Sequence, residues 1–503
     1  MKVFIYTLGC KVNEVDSELY GQEMQLLGAE TTTTLTEADA VIVNSCSVTN
    51  RAQAQSLQFV RRVLRERPGA PVYLTGCGAT LLNLTRTEAP AGVAVVAMRD
   101  RAEVARLVVG SGDAVQVTAR WIDKRIQKAG PRNRVDVRIQ EGCDNMCTYC
   151  VVPFVRGSRL ESKPALVAVD EVMGLATAGV KEVVLTGTEI GKYGQTPLRS
   201  TPRIGRTCSG SAPFALNQHA QGALEKHARE EAPLRSTPRI GRIYSGSAPF
   251  ALNQHAQGAL EEHAREEAPD SLPVLLDNML GALETAGLPM RVRISSLNPD
   301  AITEALVSQF ANHAALCPQL HLPLQSGSDA VLRRMRRPYA SQDLLDSVQH
   351  LRSVDPSFAL TTDVIVGFPG ETEQDLQATL DVIRRVAFAK VHVFPYSPRP
   401  FTPAAREEHQ VPAGVAKERL HRVLEVAEQA GMAFARRFIG RDVTIVSEKS
   451  SPGDVEGYSE HYLWTEGQTE GNETLERDSF VVVHVEGCHF DGDRVVLSGS
   501  VAA

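Results

Sequence analysis

Three things are scarce in this chain of 503 residues. It lacks any apolar run long enough to span a bilayer, and its apolar start, Met1–Tyr6, is too short for a secretory leader, so a soluble cytoplasmic protein with no membrane partner is expected. It lacks an excess of basic residues. Lys and Arg number 53 against 60 Asp and Glu, a formal net charge of -7, so any contact with a polyanion must come from local patches. It is also poor in cysteine, with 9, an odd number placed in short isolated motifs. That usage excludes a disulfide framework and points to metal sites in a reducing compartment. What is present is a hydrophobic content of 43%, enough for two or three domains with proper cores.

The densest chemistry lies at Cys143, Cys147 and Cys150, a C-x3-C-x2-C spacing directly after the strand-like run Val135–Gln140. A structural zinc site wants four protein ligands, and no His or fourth Cys lies close in sequence. An iron–sulfur cube held by three cysteines keeps one iron open for a ligand that is not protein. A zinc knuckle or a chance grouping of thiols are the alternatives. Upstream, residues 1 to about 120 alternate β-rich runs (Val3–Leu8, Ala40–Val43, Val72–Thr75, Val93–Ala97) with helical stretches, the pattern of a parallel sheet covered by helices. Three of these runs lead into a cysteine: Cys10, Cys46 and Cys77. Ligands of open α/β sheets bind beyond the carboxyl ends of the strands, so the three should converge. Glycines beside Cys10 and on both sides of Cys77 should let backbone approach a bulky ligand.

The C-x3-C-x2-C loop resembles that of the radical S-adenosylmethionine (radical SAM) superfamily, whose open iron takes the amino and carboxylate groups of the cofactor. Leu8-Gly9-Cys10-Lys11-Val12-Asn13, Asn44-Ser45-Cys46-Ser47-Val48-Thr49 and Thr75-Gly76-Cys77-Gly78-Ala79 resemble the three signatures of the methylthiotransferase family, which bind an auxiliary 4Fe–4S cluster there. Ser45 stands where that family usually has Thr, and Gly78-Ala79-Thr80 where it often has a Gln.

The fold expected on this basis is α/β throughout its first two domains. Residues 1–119 form a Rossmann-like parallel α/β domain and 120–134 a basic linker. Residues 135–439 form a partial (β/α)6 TIM-like radical SAM barrel. Residues 440–503 form a small antiparallel, OB-like β-barrel of the TRAM type. Barrel strands are expected at Val135–Gln140, Glu182–Leu185, Arg291–Ser295, Gln319–Leu324, Leu360–Val366 and Lys390–Phe394, with helices such as Pro164–Ala178, Ser271–Ala286 and Ala340–Ser353 between them. Their polar, glycine-rich ends match family segments that approach the cofactor: Thr186, Gly187 and Glu189, Ser295, Gln325, and Gly367. Tyr149 matches the aromatic placed near the adenine. His321 and His392 fall within strands and are expected in the core or behind the site, and Cys317 and Cys488 are expected to be buried or incidental.

Pro197–Ala232 is repeated almost unchanged as Pro233–Ala268, with Thr207, Cys208 and Lys226 replaced by Ile243, Tyr244 and Glu262. The segment 197–268 is poor in large apolar residues and reads as a surface insertion. Basic residues gather at Arg120, Lys124, Arg125, Lys128, Arg132, Arg134 and Arg138, either a solvated face or an RNA contact, and again at Arg333, Arg334, Arg336 and Arg337, either salt bridges on a helix end or an RNA contact. The C-terminal domain carries four basic residues, Arg441, Lys449, Arg477 and Arg494, against thirteen acidic ones. RNA contact there would fall to stacking near Tyr458 and Tyr462, or else to the linker.

The resemblance implies two 4Fe–4S clusters, on Cys143, Cys147 and Cys150 and on Cys10, Cys46 and Cys77. It also implies S-adenosylmethionine as methyl source and radical source, a tRNA anticodon arm as partner, and a flavodoxin- or ferredoxin-like reductant. The sulfur donor is unspecified. Its bacterial branch acting on threonylcarbamoyladenosine is the nearest. Isopentenyladenosine in tRNA and a ribosomal-protein aspartate are the other substrates, and a non-catalytic iron–sulfur or RNA-binding protein is the other class.

Overall fold

The computed structural model describes residues 1–110, 134–195, 271–469, 471 and 474–502. The duplicated insertion, Cys208 and the linker residues from Arg120 to Arg132 lie outside these residues. Arg134, expected to end the linker, instead opens a barrel strand, which also carries Arg138.

The N-terminal sheet contains β1 (Lys2–Thr7), β2 (Glu30–Thr32), β3 (Ala40–Ser45), β4 (Val72–Thr75) and β5 (Val93–Val95), all parallel, in the order β2-β1-β3-β4-β5. Of these only β2, a short exposed Glu-Thr-Thr edge, had no apolar signal in the sequence. Helices α1 (Lys11–Leu26), α2 (Asn50–Glu66), α3 (Gly76–Thr85) and α4 (Val104–Val109) cover the sheet. Side chains alternate along β3. Ile42 packs with Tyr20, Met24 and Val104 in one core, while Val41 and Val43 pack with Val60, Leu74 and Leu82 in another.

The central domain has β6 (Arg134–Glu141), β7 (Glu161–Ser162), β8 (Glu182–Gly187), β9 (Arg291–Ile294), β10 (Gln319–His321), β11 (Ala359–Val366) and β12 (Lys390–Pro395). The six expected strands are all present and parallel. They form the groups β6-β8-β9 and β10-β11-β12, joined by bridges Val292↔Leu316 and Ser296↔His321; β7 is a short antiparallel edge on β6. Around them run α5 (Val152–Arg156), α6 (Ala165–Thr177), α7 (Leu272–Thr285), α8 (Glu304–Asn312), α9 (Asp329–Met335), α10 (Ser341–Val354), α11 (Glu373–Val386) and α12 (Ala413–Ala435). Val137, Ile139, Leu185, Val292, Leu320, Leu360 and Val364 share one core with helix residues such as Val172, Leu276, Leu344 and Ile383. The alternate residues therefore face the concave side. Asp363 pairs in register with His392, and Ile365 with Phe394. His392 and Phe394 are exposed on that face, which rules out the core, one of the two places expected for His392: strand periodicity places it opposite Val391.

The N-terminal domain reaches both edges of this partial barrel. Val15 and Leu19 of α1 join the barrel core beside β6. Beyond β12, Ser397 Oγ accepts the Asn50 N–H at 3.1 Å, and Arg399 donates to Asn50 and to Gln53 Oε1, the latter at 2.7 Å.

The C-terminal barrel closes as β13-β14-β15-β17-β16, from β13 (Asp442–Ser451), β14 (Asp454–Ser459), β15 (Trp464–Gln468), β16 (Phe480–Phe490) and β17 (Val495–Val501). It is not wholly antiparallel, because β15 and β17 run parallel. Nor is His461–Thr465 one strand. Tyr462 sits in the left-handed region (φ 60°), turning the chain between β14 and β15. This turn docks on the amino ends of the central strands. Glu182 receives Arg134, Arg291 and Arg293, and the two latter guanidinium groups donate onward to the carbonyls of Thr444, Tyr458, Ser459 and Glu460 at 2.7–2.8 Å.

Candidate metal centres

Each N-terminal cysteine stands one to three residues beyond a strand: Cys10 caps α1 after β1, Cys46 follows β3, and Cys77 opens α3 after β4. Because β1, β3 and β4 are neighbours in register, their carboxyl ends bring the three thiols together. The sulfurs lie close enough that charge on one acts on the others. Burial pushes Cys77 up to about 12 and raises Cys46. The flanking glycines serve protein contacts rather than open space for a ligand. A Cβ on Gly9 would lie 2.8 Å from Asn13 Nδ2 and 3.3 Å from the Cys46 Cβ, and one on Gly78 would lie 2.7 Å from Ser45 Oγ. Ser45, the departure from the family signature, ties the turns together by donating to the Thr75 carbonyl at 2.5 Å and accepting from the Ala79 N–H at 2.9 Å.

The second triad occupies the loop after β6. Its backbone is held from three sides: the Cys143 N–H donates to Gly157 O (3.2 Å), the Thr148 N–H to Met335 O (3.0 Å), and the Ala404 N–H to Thr148 O (2.9 Å). Burial pushes Cys143 and Cys150 up to about 12. Arg337, from the run read as either an RNA contact or salt bridges on a helix end, turns inward. It donates to Cys147 Sγ at 3.3 Å, Tyr149 Oη at 3.5 Å and Asn298 Oδ1. From the same run Arg333 and Arg336 are exposed, and Arg333 and Arg334 line an open groove of about 620 Å³ with Gly370, Thr372 and Asp375.

The other expected cofactor contacts are gathered near this loop to different degrees. Glu189 accepts from Asn145 Nδ2 (2.7 Å) and Asn298 Nδ2 (2.9 Å), and its N–H donates to Gln140 Oε1 (2.7 Å). Burial raises its carboxyl against the pull of Arg337 and Lys192. Thr186 is buried beside Arg138 in the β6–β8 register, and a Cβ on Gly187 would meet Ile190 and the Gln140 carbonyl at 2.6 and 2.7 Å. Ser295 follows β9 and donates its N–H to Leu185 O at 3.0 Å. Gln325 adopts a left-handed backbone (φ 60°) bonded to β11. Tyr149 meets Phe368 edge-on, with ring centroids 6.4 Å apart. Gly367 differs from the rest. Ala416 of α12 takes the space beside its Cα, where a Cβ would lie 2.7 Å from the alanine methyl, so only the Gly367 backbone remains to meet a ligand.

Between the triads lies a buried set of charges that nothing in the sequence placed there. Arg156 donates through Nε to Cys77 Sγ at 3.1 Å, through Nη2 to Asn13 Oδ1 (2.6 Å) and Asp16 Oδ2 (2.8 Å), and through Nη1 to Glu141 Oε1 (3.3 Å). Arg138 also pairs with Asp16, and Arg101 grips Glu141 with both terminal nitrogens at 2.5 and 2.6 Å. Burial would raise both carboxyls, but the guanidinium groups outweigh it: Arg156 and Arg138 hold Asp16 below its usual range, and Arg138 and Arg101 do so for Glu141.

Among the described residues no three His, Cys, Asp or Glu side chains close on a single ion position. Neither triad therefore forms a position for a mononuclear ion, whereas the three ligands of a cube each reach a different iron. In each triad a buried sulfur also accepts an arginine N–H, a donor that would favour a ligated thiolate there, against the burial that favours the free thiol at Cys77. The donor set thus fits iron–sulfur clusters.

The expectation for Tyr458 and Tyr462 changes as well. The two rings stack on each other (4.5 Å, 11°), and Arg134 and Arg293 lie over their faces at 4.8–5.3 Å, so both are engaged at the domain junction rather than presented to bases. No helix among the described residues is long and apolar enough to cross a membrane.

Comparison with known proteins agrees with this architecture. Residues 2–97 match the Uncharacterized protein family UPF0004, and residues 238–383 match the Radical SAM superfamily. The chain is similar to the threonylcarbamoyladenosine tRNA methylthiotransferase MtaB of Thermotoga maritima, 30% identical over 469 residues that span 92% of this chain and 90% of the relative. It is 28% identical to that of Bacillus subtilis, over 92% and 89% of the two chains. It is 29% identical to the tRNA-2-methylthio-N(6)-dimethylallyladenosine synthase of Maricaulis maris, over 91% and 88%. A partial β/α barrel with a three-cysteine loop after its first strand, together with the superfamily match, defines a radical SAM protein, a class that uses a 4Fe–4S cluster and S-adenosylmethionine. Within that class the chain belongs to the methylthiotransferase family.

Proposed function

We propose that this protein is a tRNA methylthiotransferase that converts N6-threonylcarbamoyladenosine beside the anticodon, adenosine-37, to its 2-methylthio derivative. The observation that carries this reading is the pair of cysteine triads, at the ends of parallel strands of two domains and linked through Arg156. Cys143, Cys147 and Cys150 hold the cluster that takes S-adenosylmethionine, and Cys10, Cys46 and Cys77 hold a second one. When bound, the two supply reductive cleavage of the cofactor and an open iron for the transferred sulfur.

The chain's own residues orient and enclose. Tyr149, Thr186, Gly187, Glu189, Ser295 and Gln325 border the cofactor, with the backbone of Gly367. Arg337 fixes Cys147 against Tyr149 and Asn298. The concave face carries His321, Asp363 and His392, with His321 Nε2 3.4 Å from Asp363 Oδ2. These polar groups suit the hydroxyl and urea N–H groups of a threonylcarbamoyl side chain better than a dimethylallyl one. Phosphate contact falls to the exposed Arg333 and Arg336 and to the basic linker, and a flavodoxin- or ferredoxin-like protein supplies electrons.

The test is anaerobic reconstitution of wild type, Cys46→Ala and Cys147→Ala, with iron counts, 5′-deoxyadenosine assay and mass spectrometry of tRNA nucleosides. Cys46→Ala is expected to cleave the cofactor without forming methylthiolated nucleoside, and Cys147→Ala to do neither. Methylthiolation at the wild-type rate by Cys46→Ala would refute the two-cluster reading. Product formed only on isopentenyladenosine would move the substrate and leave the chemistry intact.

A further inference from the structure

Arg156 stands where the two halves of the site meet. It ends the short α5 that follows Cys150, while Glu141 immediately precedes the loop that begins Gly142-Cys143. Both flanks of the C-x3-C-x2-C loop are thus tied to the N-terminal domain, Glu141 through Arg101 and Arg156 through Asn13, Asp16 and Cys77. Cys77 also packs with Leu81 against Val151 and Val155 of the same segment.

The orientation of the guanidinium is specific. Its two terminal nitrogens are occupied by Asp16, Asn13 and Glu141, which leaves Nε–H directed at the Cys77 sulfur at 3.1 Å. The side chain is 3% exposed, so water does not screen this contact. A guanidinium cannot lose its charge in a protein, and one fixed by four partners cannot swing away when the charge on the sulfur changes. Hydrogen bonds and positive charge at ligating sulfurs favour the reduced, more negative state of a cluster.

We infer that Arg156 is a positioning residue that raises the reduction potential of the N-terminal cluster selectively, by holding an N–H and a fixed positive charge on Cys77. The inference rests on the reading of Cys10, Cys46 and Cys77 as cluster ligands. Its test is potentiometric titration followed by electron paramagnetic resonance, on the full chain with Arg156→Lys and Arg156→Gln. Each substitution is made in the Cys147→Ala background to isolate the N-terminal cluster, and in the Cys46→Ala background to isolate the other.

Arg156→Gln is expected to lower the N-terminal potential by about 59 mV or more, a tenfold change in the one-electron equilibrium. Arg156→Lys, which keeps the charge and loses the planar fork, is expected to fall between it and wild type. If the Gln variant does not fold, the Lys variant decides. An unchanged N-terminal potential overturns the inference, and so does an equal shift in both clusters. Wild type that reconstitutes with about four irons per chain rather than about eight overturns the two-cluster reading itself.

Discussion

Gly142→Ala is the sharpest test of how the barrel presents its cysteine loop. Gly142 has φ 84°, and a Cβ there would lie 2.8 Å from the Arg159 carbonyl carbon and closer still to its oxygen. Left-handed backbone costs an alanine about 1–2 kcal/mol. The obstruction is main chain rather than the end of a flexible side chain, so overpacking adds about 1–3 kcal/mol. The total of about 2–5 kcal/mol lies within the ~5–15 kcal/mol stability of a typical domain, so the protein should fold with its loop displaced. The strain falls on Cys143, whose N–H is bonded to Gly157 O at 3.2 Å. Gly157→Ala is a control without the clash: its φ of 98° and ψ of 151° also disfavour alanine, but a Cβ there meets nothing within 4 Å, so it should show a backbone cost alone. Thermal unfolding and iron content of both variants, with the 5′-deoxyadenosine assay, measure the difference. Gly142→Ala should melt lower than Gly157→Ala and lose iron at one triad. Equal melting temperatures with full iron would show that the loop yields freely and that the close approach has no consequence.

Asp16→Asn removes the charge shared by Arg138 and Arg156 in a buried site, and should cost about 3–5 kcal/mol in urea unfolding; a loss below ~1 kcal/mol would contradict the network. His313 is opposed by burial but raised by its hydrogen bonds to Glu284 (2.9 Å) and Asp277 (3.3 Å). Its contribution should be complete below its unfolded pKa of about 6.5 and lost as pH rises through the higher folded value. The melting difference between wild type and His313→Asn should therefore shrink from pH 5.5 to 8.5, and a difference that grows would reverse the assignment. Tyr462→Ala should lower stability by about 1–3 kcal/mol, because ring stacking and the capping by Arg134 and Arg293 are lost. Its tRNA affinity per folded molecule should not change, whereas a large loss of affinity at unchanged stability would return that ring to the RNA surface.

Much of this protein is written locally, and those parts are legible in the sequence. Alternating β-rich and helical runs mark four strands of the N-terminal sheet and the six barrel strands, because periodicity and breakers act over a few residues. The cysteine spacings mark both triads for a related reason, since a strand end is a fixed structural position and neighbouring parallel strands align their ends. Strands that pair at edges or cross in a small barrel carry less local signal: β2 was invisible, and the parallel β15–β17 pair could not be told from an antiparallel one.

The arginines were decided only by the tertiary structure. Arg134, Arg138 and Arg337 belong to basic runs, and a run of charge says nothing about the face it occupies once the chain folds. Arg138 finds Asp16 at a separation of 122 residues, and Arg134 finds Glu448 at 314. Arg156 lacked even a run to mark it, yet it joins the two triads. A long side chain can be drawn into the interior when carboxylates or thiolates from another domain offset its desolvation, and those partners are chosen by packing rather than by sequence neighbourhood. The sequence by itself therefore determined the two cysteine triads and the strands that carry them. The network that joins the two triads, and the side of the C-terminal barrel that is taken up by docking, came from contacts between residues far apart in the chain.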